Sequence, residues 1–392
     1  MMTFGRTDRS VVSDWWWTVD RWLMVALFVL AGTGAILVMA ASPPVADRIG
    51  VDTFHFVRRQ IVFMIPALMV LVGVSMMSPL WVRRSAVIVF FGAVVLLFAT
   101  LVMGAEIKGA TRWLNVAGFV IQPSEFTKPA LAVVVAWMLS QRQNDPGFPA
   151  FTVGLALLLL VLTPLLLQPD IGMALVVCAV WFIQMFLAGL PLFIVAGLTV
   201  VGMAGAVGAY AFFPHVASRI DRFLDPSSGD SFQVTTSLNA FGHGGLWGTG
   251  PGEGVVKQIL PDAHADFIFA VAGEEFGLVF ALFIVALFAF IVLRGLSRLM
   301  RETDLFILLA GTGLFAQVGL QSVINMGVNV SLLPAKGMTL PFISYGGSST
   351  LALALGFGYA LALTRARATP AWAGAAPTAT RTPLNAVLRG AR

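Results

Sequence analysis

Residues 151–187, FTVGLALLLLVLTPLLLQPDIGMALVVCAVWFIQMFL, decide what kind of protein this is. The stretch carries one charge, Asp170, set in the break Gln168-Pro169-Asp170 between two apolar runs, Phe151–Leu167 and Ile171–Leu187. A helix needs roughly 20 apolar residues to cross a hydrocarbon core of about 30 Å. Two runs of nearly that length, joined by a three-residue break, read as a membrane helix, a tight turn and a second membrane helix.

The same pattern recurs along the chain. Further runs extend over Trp22–Ala41, Ile61–Met77, Ala86–Met103, Ser124–Leu139, Pro191–Phe213, Glu274–Leu293, Leu305–Ile324 and Phe342–Leu363. The expected fold is therefore an all-α polytopic membrane protein of ten transmembrane helices, with a large structured outer loop between helices 7 and 8. Composition agrees: of 392 residues 58% are hydrophobic and 11% charged, against roughly 25% charged in a soluble domain. The same abundance of apolar residues excludes disorder. The net charge of +5 reads as a topology signal rather than nucleic-acid binding, since cytoplasmic segments collect Arg. The chain divides into a cytoplasmic segment 1–21, a membrane domain 22–364 containing a periplasmic loop 214–266, and a cytoplasmic tail 365–392 without apolar periodicity, expected to be disordered.

Sidedness follows from the basic residues. With both termini inside, 14 basic residues lie on the inner side and ten outside, three of those in the long loop that the positive-inside rule discounts. Trp15, Trp16 and Trp17 suit an interfacial anchor before the first span. The first run is too long for the core of a signal peptide, so it is read as a retained helix. Cys178 is alone and has no disulfide partner.

Two outer segments, Gly104 to Gln122 and Pro214 to Asp266, are longer than connectors need to be. The second holds Phe223, Phe232, Leu238, Phe241, Leu246 and Trp247 among many glycines, and an interfacial helix is expected around Phe232 to Phe241. All four lysines, Lys108, Lys128, Lys257 and Lys336, fall on or near the outer face, against 20 arginines spread over both sides. An ammonium is a compact charge suited to phosphate. Glu125, Asp170, Asp266, Glu274 and Glu275 gather on the same face, and ionisable groups at membrane depth usually face a wet cavity. Each also has a plain structural use: Glu125 and Lys128 are spaced to pair on one helix, Asp170 to cap one, and Glu274 and Glu275 to anchor a helix end.

Several chemistries lack their signatures: there is no Walker phosphate loop, no zinc spacing among His55, His215, His243 and His264, and no serine nucleophile elbow. A carboxylate base with cations holding an anionic, lipid-linked substrate remains, and a transporter of such a substrate would use similar residues. Gly197, Gly202, Gly205 and Gly208 suit close helix packing.

Five segments resemble the signatures of the SEDS family. These are Gly109-Ala110-Thr111-Arg112-Trp113, Gln122-Pro123-Ser124-Glu125-Phe126-Thr127-Lys128, Gln168-Pro169-Asp170-Ile171-Gly172, Leu260 to Phe269 continuing through Gly273-Glu274-Glu275-Phe276-Gly277, and Leu340-Pro341-Phe342-Ile343-Ser344-Tyr345-Gly346-Gly347-Ser348-Ser349, the last overlapping Ala335-Lys336-Gly337-Met338-Thr339-Leu340-Pro341, which marks one branch of the family. They lie in order from Trp22 to about Leu363. The resemblance implies a ten-helix peptidoglycan glycosyltransferase that polymerises lipid II, and the Lys336 segment with Trp15–Trp17 is similar to the division-type branch. It implies a class B penicillin-binding transpeptidase and other divisome membrane proteins as partners, beside membrane lipid, at the septum of the bacterial inner membrane with a periplasmic active face.

Carried over by position, the resemblance makes Asp266 the catalytic carboxylate and Arg112, Glu125, Lys128, Asp170, Gln233, Lys336 and Ser348 substrate-binding residues. A divalent cation, Mg2+ or Mn2+, at Asp266 stays open, with no local ligand cluster to establish it. Ala265 stands where the family usually has Thr, Asp262 where Glu is common, and Lys108 at a variable position. A lipid II flippase and a non-catalytic scaffold for the transpeptidase are the competing readings. A flippase needs charge along its whole path, and the inner halves of the spans are nearly uncharged, which favours the polymerase.

Overall fold

In the computed structural model the described residues are 10–107, 110–116, 119–225, 232–334 and 337–366. A short helix α1 (Val11–Thr18) precedes α2 (Arg21–Ile49), α3 (His55–Ser75) and α4 (Pro79–Met103). Strands β1 (Ala105–Ile107), β2 (Ala110–Val116) and β3 (Phe119–Ile121) follow as an antiparallel sheet in the order β1-β2-β3. Then come α5 (Pro123–Ser140), α6 (Ala150–Leu167), α7 (Ile171–Leu187), α8 (Leu192–Phe212), α9 (Pro214–Leu224), α10 (Phe232–Gly244), α11 (Ile268–Leu299), α12 (Leu305–Asn329) and α13 (Gly347–Leu363).

The ten expected runs fall on α2 to α8 and α11 to α13. Seven of these, α2, α3, α4, α6, α8, α11 and α12, are long and apolar enough by themselves to cross a membrane, while α7 and α13 are shorter apolar helices. Helix α5 opens on Glu125 and Lys128 and is buried along almost its whole length, a position compatible with those charges only because they are paired. The small sheet departs from an all-α reading. Its register sets Leu114 against Ile121 and Asn115 against Val120, and β-branched residues fit such a pleated surface.

Polar side chains hold the centre. Gln184 of α7 donates to the carbonyls of Ala132 on α5 (2.7 Å) and Leu309 on α12 (3.1 Å), a buried bridge of the kind that joins helices in lipid. At the end nearest the termini, Asp20 caps α2 and takes both Arg294 (2.8 Å) and Arg298 (2.6 Å). Helix α8 is different, for none of its residues is buried. A Cβ at Gly197, Gly202 or Gly205 would meet nothing within 4 Å, and one at Gly208 only Phe212 at 3.9 Å. The close packing expected of these glycines is not made within the described chain.

The last run starts at Gly347 and not at Phe342. The residues before it form a turn in which Leu340 N–H donates to the Ser344 hydroxyl (2.7 Å) and Ser344 N–H to the Leu340 carbonyl (2.9 Å), with Phe342 at φ +59°. Helix α11 begins earlier than expected, at Ile268, and is broken at Gly277 (φ +79°, ψ 178°). The peptide groups freed there bond to the loop after α10. Leu278 N–H donates to Gly245 O (2.9 Å), while Thr249 and Gly250 N–H donate to Glu274 O and Glu275 O (both 3.0 Å). Broken helices are tolerated at membrane depth where other protein segments satisfy the freed groups.

Helix α10 forms where a helix was expected, but its buried face of Thr236, Ser237, Ala240 and Gly244 lies against protein, and Ser237 donates to Asn329 O of α12 (2.7 Å). The more amphipathic helix of the loop is α9, which sets Val216, Ile220 and Phe223 at helical spacing. The tail expected at 365–392 lies from residue 367 onward outside the described residues, as do Lys108 and Lys336.

Candidate active site

Asp266 lies near the end of the turn that leads from Pro261 through Phe267 into α11, with its side chain half-buried. Three consecutive carbonyls of this turn are held from outside it. His264 O accepts from Tyr345 N–H (2.9 Å), Ala265 O from the Ser344 hydroxyl (2.6 Å), and Asp266 O from Asn325 Nδ2 (2.9 Å) and Asn329 Nδ2 (3.0 Å). Asn325 also donates to Met338 O (2.6 Å), and Asn329 Oδ1 accepts from Ala270 N–H (3.1 Å). The backbone under Asp266 is thus fixed by two neighbouring segments. A Cβ at Gly337 would lie 3.2 Å from Asp266 Oδ2, so the backbone at Gly337 lies beside the carboxylate.

Asp262 adopts φ +52°, a region that Asp tolerates better than most residues, and its carbonyl accepts from Ala265 N–H (3.0 Å). His264 lies against Phe56 of α3, ring centroids 4.2 Å apart, and Tyr345, 5.3 Å apart. Burial pushes the imidazole down to about 4, partly offset by the Asp262 charge, so it is neutral at physiological pH.

The first turns of α5 reach the same place. Lys128 Nζ pairs with Glu125 Oε2 at 3.0 Å, with the two side chains 3% and 4% exposed, and donates to Gln321 Oε1 at 3.0 Å. Gln321 Nε2 in turn donates to Thr339 O (2.9 Å). A continuous polar chain therefore runs from Glu125 through Lys128 and Gln321 to the 337–340 segment, and through Asn325 to Asp266. Ser348, at the start of α13, accepts from Gln122 N–H (3.2 Å) and ties α13 to the end of β3.

Arg112 and Asp170 form a separate pair. Arg112 Nε lies 3.5 Å from Asp170 Oδ2 and its Nη2 donates to Pro169 O (3.0 Å), while Asp170 caps α7 at Met173 N–H (3.4 Å). Gln233 is half-buried on the first turn of α10, and no hydrogen bond among the described residues joins it to these groups.

The expectation of five carboxylates around one outward cavity is corrected by Glu274 and Glu275. Glu274 is fully buried, and its carboxylate accepts from the N–H groups of Val255 (2.7 Å), Val256 (2.7 Å) and Lys257 (2.8 Å), with His243 Nδ1 at 3.1 Å. Glu275 pairs with Lys257, whose ammonium also donates to Ala40 O (2.9 Å). Lys257 thereby serves the loop rather than a phosphate. These groups clamp the loop to the break in α11, because each otherwise brings an unpaired charge or peptide dipole into a dry interior. Among the described residues no three His, Cys, Asp or Glu side chains converge as a metal site.

The residues missed in the sequence are Gln321, Asn325, Asn329 and Ser344. A signal for the amides was present: Gln317, Gln321, Asn325 and Asn329 recur every four residues and so share one face of a helix. Ending the run at Ile324 cut that face in two.

The profile of the FtsW/RodA/SpoVE family, described as a cell cycle protein, matches residues 21–369. The chain is 45% identical over 350 residues to a protein of Caulobacter vibrioides named probable peptidoglycan glycosyltransferase FtsW, covering 89% of this chain and 90% of that one. It is 36% identical over 344 residues to a protein of the same name from Trichlorobacter lovleyi, covering 85% and 89%. Its fold matches a chain solved in work titled "Structural coordination of polymerization and crosslinking by a peptidoglycan synthase complex", with TM-score 0.72, 26% identity and coverage of 88% and 97%. It also matches the rod shape determining protein RodA of Thermus thermophilus, with TM-score 0.65, 26% identity and coverage of 89% and 97%. With its motifs in order along one helical membrane fold and the family profile spanning all but its ends, this chain belongs to the FtsW/RodA/SpoVE family, the SEDS proteins that its sequence resembles.

Proposed function

We propose that this protein is a peptidoglycan glycosyltransferase that polymerises lipid II during cell division. The observation that carries the reading is the carboxylate of Asp266, beside Gly337 and held on a turn whose three carbonyls are fixed from outside. Fixed geometry of this kind lowers the cost of bringing a base to its proton. Asp266 accepts the proton of the GlcNAc 4-hydroxyl of one lipid II molecule. The oxygen attacks C1 of the lipid-linked MurNAc of another, the C1–O bond to the pyrophosphate breaks, and undecaprenyl pyrophosphate leaves with its negative charge. Arg112, Lys128 and Lys336 are the cations assigned to that charge, or a divalent cation, Mg2+ or Mn2+, held by Asp266. Glu125 and Asp170 orient Lys128 and Arg112, and Gln233 and Ser348 complete the binding set.

The same proposal includes ten membrane crossings, domain limits at 22–364 and 365–392, cytoplasmic termini and a periplasmic active face at the septal inner membrane. The excess of arginine at the terminal ends of the helices supports this orientation. A class B penicillin-binding transpeptidase is the proposed partner, with other divisome proteins beside it. The structural neighbour solved as part of a peptidoglycan synthase complex supports a partner of that kind.

The test is Asp266→Asn, purified with the transpeptidase and given lipid II. A general base contributes roughly 10²- to 10⁴-fold, so polymerisation drops at least a hundredfold while the complex still assembles. Wild-type polymerisation by this variant removes Asp266 from the chemistry.

A further inference from the structure

At the opposite end of the bundle from Asp266, a cavity of about 420 Å³ opens between the ends of α11 and α13, lined by Arg294, Arg298, Arg301, Glu302, Thr364 and Arg365. Four guanidinium groups in one concavity repel each other, and such an arrangement persists only where anions balance it. Buried Asp20 balances part of the charge through the Nε edges of Arg294 and Arg298. Among the described residues that line the pocket or pair with its lining, four are arginines and two, Asp20 and Glu302, are carboxylates.

The walls are built rather than accidental. Arg298 Nη1 donates to Thr364 O (3.4 Å), Arg365 donates to the Thr18 hydroxyl (2.9 Å) and Met76 O (3.0 Å), and Ala366 N–H donates to Thr18 O (2.8 Å). These bonds join α11, α13, α3 and the end of α1 around one opening. Arg301 sits on the rim, exposed and without an ion pair among the described residues. The pocket also lies at the level of an aromatic belt. Trp16, Trp17 and Trp22 are exposed on α1 and the first turn of α2, and Arg21 stacks over Trp16 and Trp17 at 4.9 Å. Exposed Trp with Arg marks the depth of lipid headgroups, and basic pockets between helix ends at that depth suit phosphate. Beyond Ala366 the sequence adds Arg367, Arg381, Arg389 and Arg392 and no acidic side chain.

We propose that this pocket is a binding site for a phosphate-bearing anion, with the phosphodiester headgroup of an anionic phospholipid as its membrane-resident source. Arg301 and Arg365 contact the phosphate oxygens, while Arg294 and Arg298, oriented by Asp20, supply the field behind them. The site is distinct from that of Asp266 and independent of the polymerase reading.

The test uses the full-length protein in a neutral detergent, titrated with short-chain phosphatidylglycerol, short-chain phosphatidylcholine or inorganic pyrophosphate, with binding read by native mass spectrometry. Phosphatidylglycerol is expected to bind and phosphatidylcholine at least tenfold more weakly. Arg301→Glu, which reverses a rim charge that makes no structural ion pair, lowers phosphatidylglycerol affinity at least tenfold, and Arg301→Lys retains most of it. Glu302→Gln raises it. Pyrophosphate binding with the same Arg301 dependence, where phosphatidylglycerol does not bind, also supports the phosphate site and moves its source to the soluble phase. Equal binding of both lipids, or affinities that Arg301→Glu leaves unchanged for phosphatidylglycerol and pyrophosphate alike, overturns the proposal.

Discussion

Replacing Lys128 by Met removes the cation that faces Glu125 across 3.0 Å, where the two side chains are 3% and 4% exposed. At an effective dielectric of about 20, two unit charges at this separation attract by about 5–6 kcal/mol. Desolvation offsets much of that in the intact pair, so the pair itself adds little net stability. Breaking it is another matter, because Glu125 stays buried, and its Oε2 has no hydrogen bond among the described residues. The single variant is expected to lose about 3–5 kcal/mol. Lys128→Met combined with Glu125→Gln removes both charges and is expected to recover all but about 1 kcal/mol, the donor that Gln321 loses. Unfolding in mixed micelles of SDS and a neutral detergent, measured for the wild type, both single variants and the double variant, gives the coupling energy. A value of at least about 2 kcal/mol is expected, and one below about 0.5 kcal/mol would refute a buried, mutually dependent pair. Polymerisation by the double variant separates stability from chemistry. Its activity stays low where Lys128 also serves the pyrophosphate, and returns where Lys128 only balances Glu125.

Gly248 adopts φ +84°, and a Cβ there would overlap the Glu275 carbonyl. Gly248→Ala should therefore cost more than about 2 kcal/mol, read as a lower thermal midpoint; an unchanged midpoint would mean that the loop does not seat on the break in α11. Asn325→Ala leaves Met338 O without this donor and removes one of the amide donors, beside Asn329, on Asp266 O. It is expected to reduce polymerisation at least tenfold with helix content unchanged, through misplacement of the base, and full activity would show that the turn holds without it. His264 has its folded pKa lowered to about 4 from 6.5. As pH falls from 6.5 towards 4 the unfolded chain takes up a proton that the folded chain refuses, so stability falls over that window by up to about 3 kcal/mol. Thermal midpoints of His264→Gln across the same window should show a shallower slope, and a slope equal to the wild type's rules out the buried neutral imidazole.

Much of the bundle was legible because lipid imposes a one-dimensional rule. A run such as 151–187 has to satisfy its backbone internally, and a helix does this without reference to any other segment. Asp170 as a cap and Glu125–Lys128 as a pair were legible for the same reason, since both depend on spacing within one helix. The start of α13 was not, because the turn at Leu340–Ser344 is held by bonds to Ala265 and His264, about 80 residues earlier in the chain. Nor was the break at Gly277, whose freed peptide groups are satisfied by the loop at Gly245–Gly250. Residue identity could not assign Glu274 and Glu275 either. The carboxylates that clamp the loop and the one proposed for chemistry carry the same charge and stand within ten residues of each other.

Sequence alone therefore determined the class of fold, the helices, the motifs of the family and the residues worth testing. Hydrophobicity, charge and helical period are properties of a segment and need no partner. The tertiary structure decided which ionisable groups are consumed in holding the protein together and which are left to act. It joined Asp266 to Asn325 and Asn329 and Ala265 to Ser344, set Lys257 on Glu275, and brought Arg294, Arg298, Arg301 and Arg365 to one opening. The physical reason is that a buried charge or peptide group must find a partner wherever the chain happens to bring one. The distance along the sequence to that partner is set by packing and by no local rule.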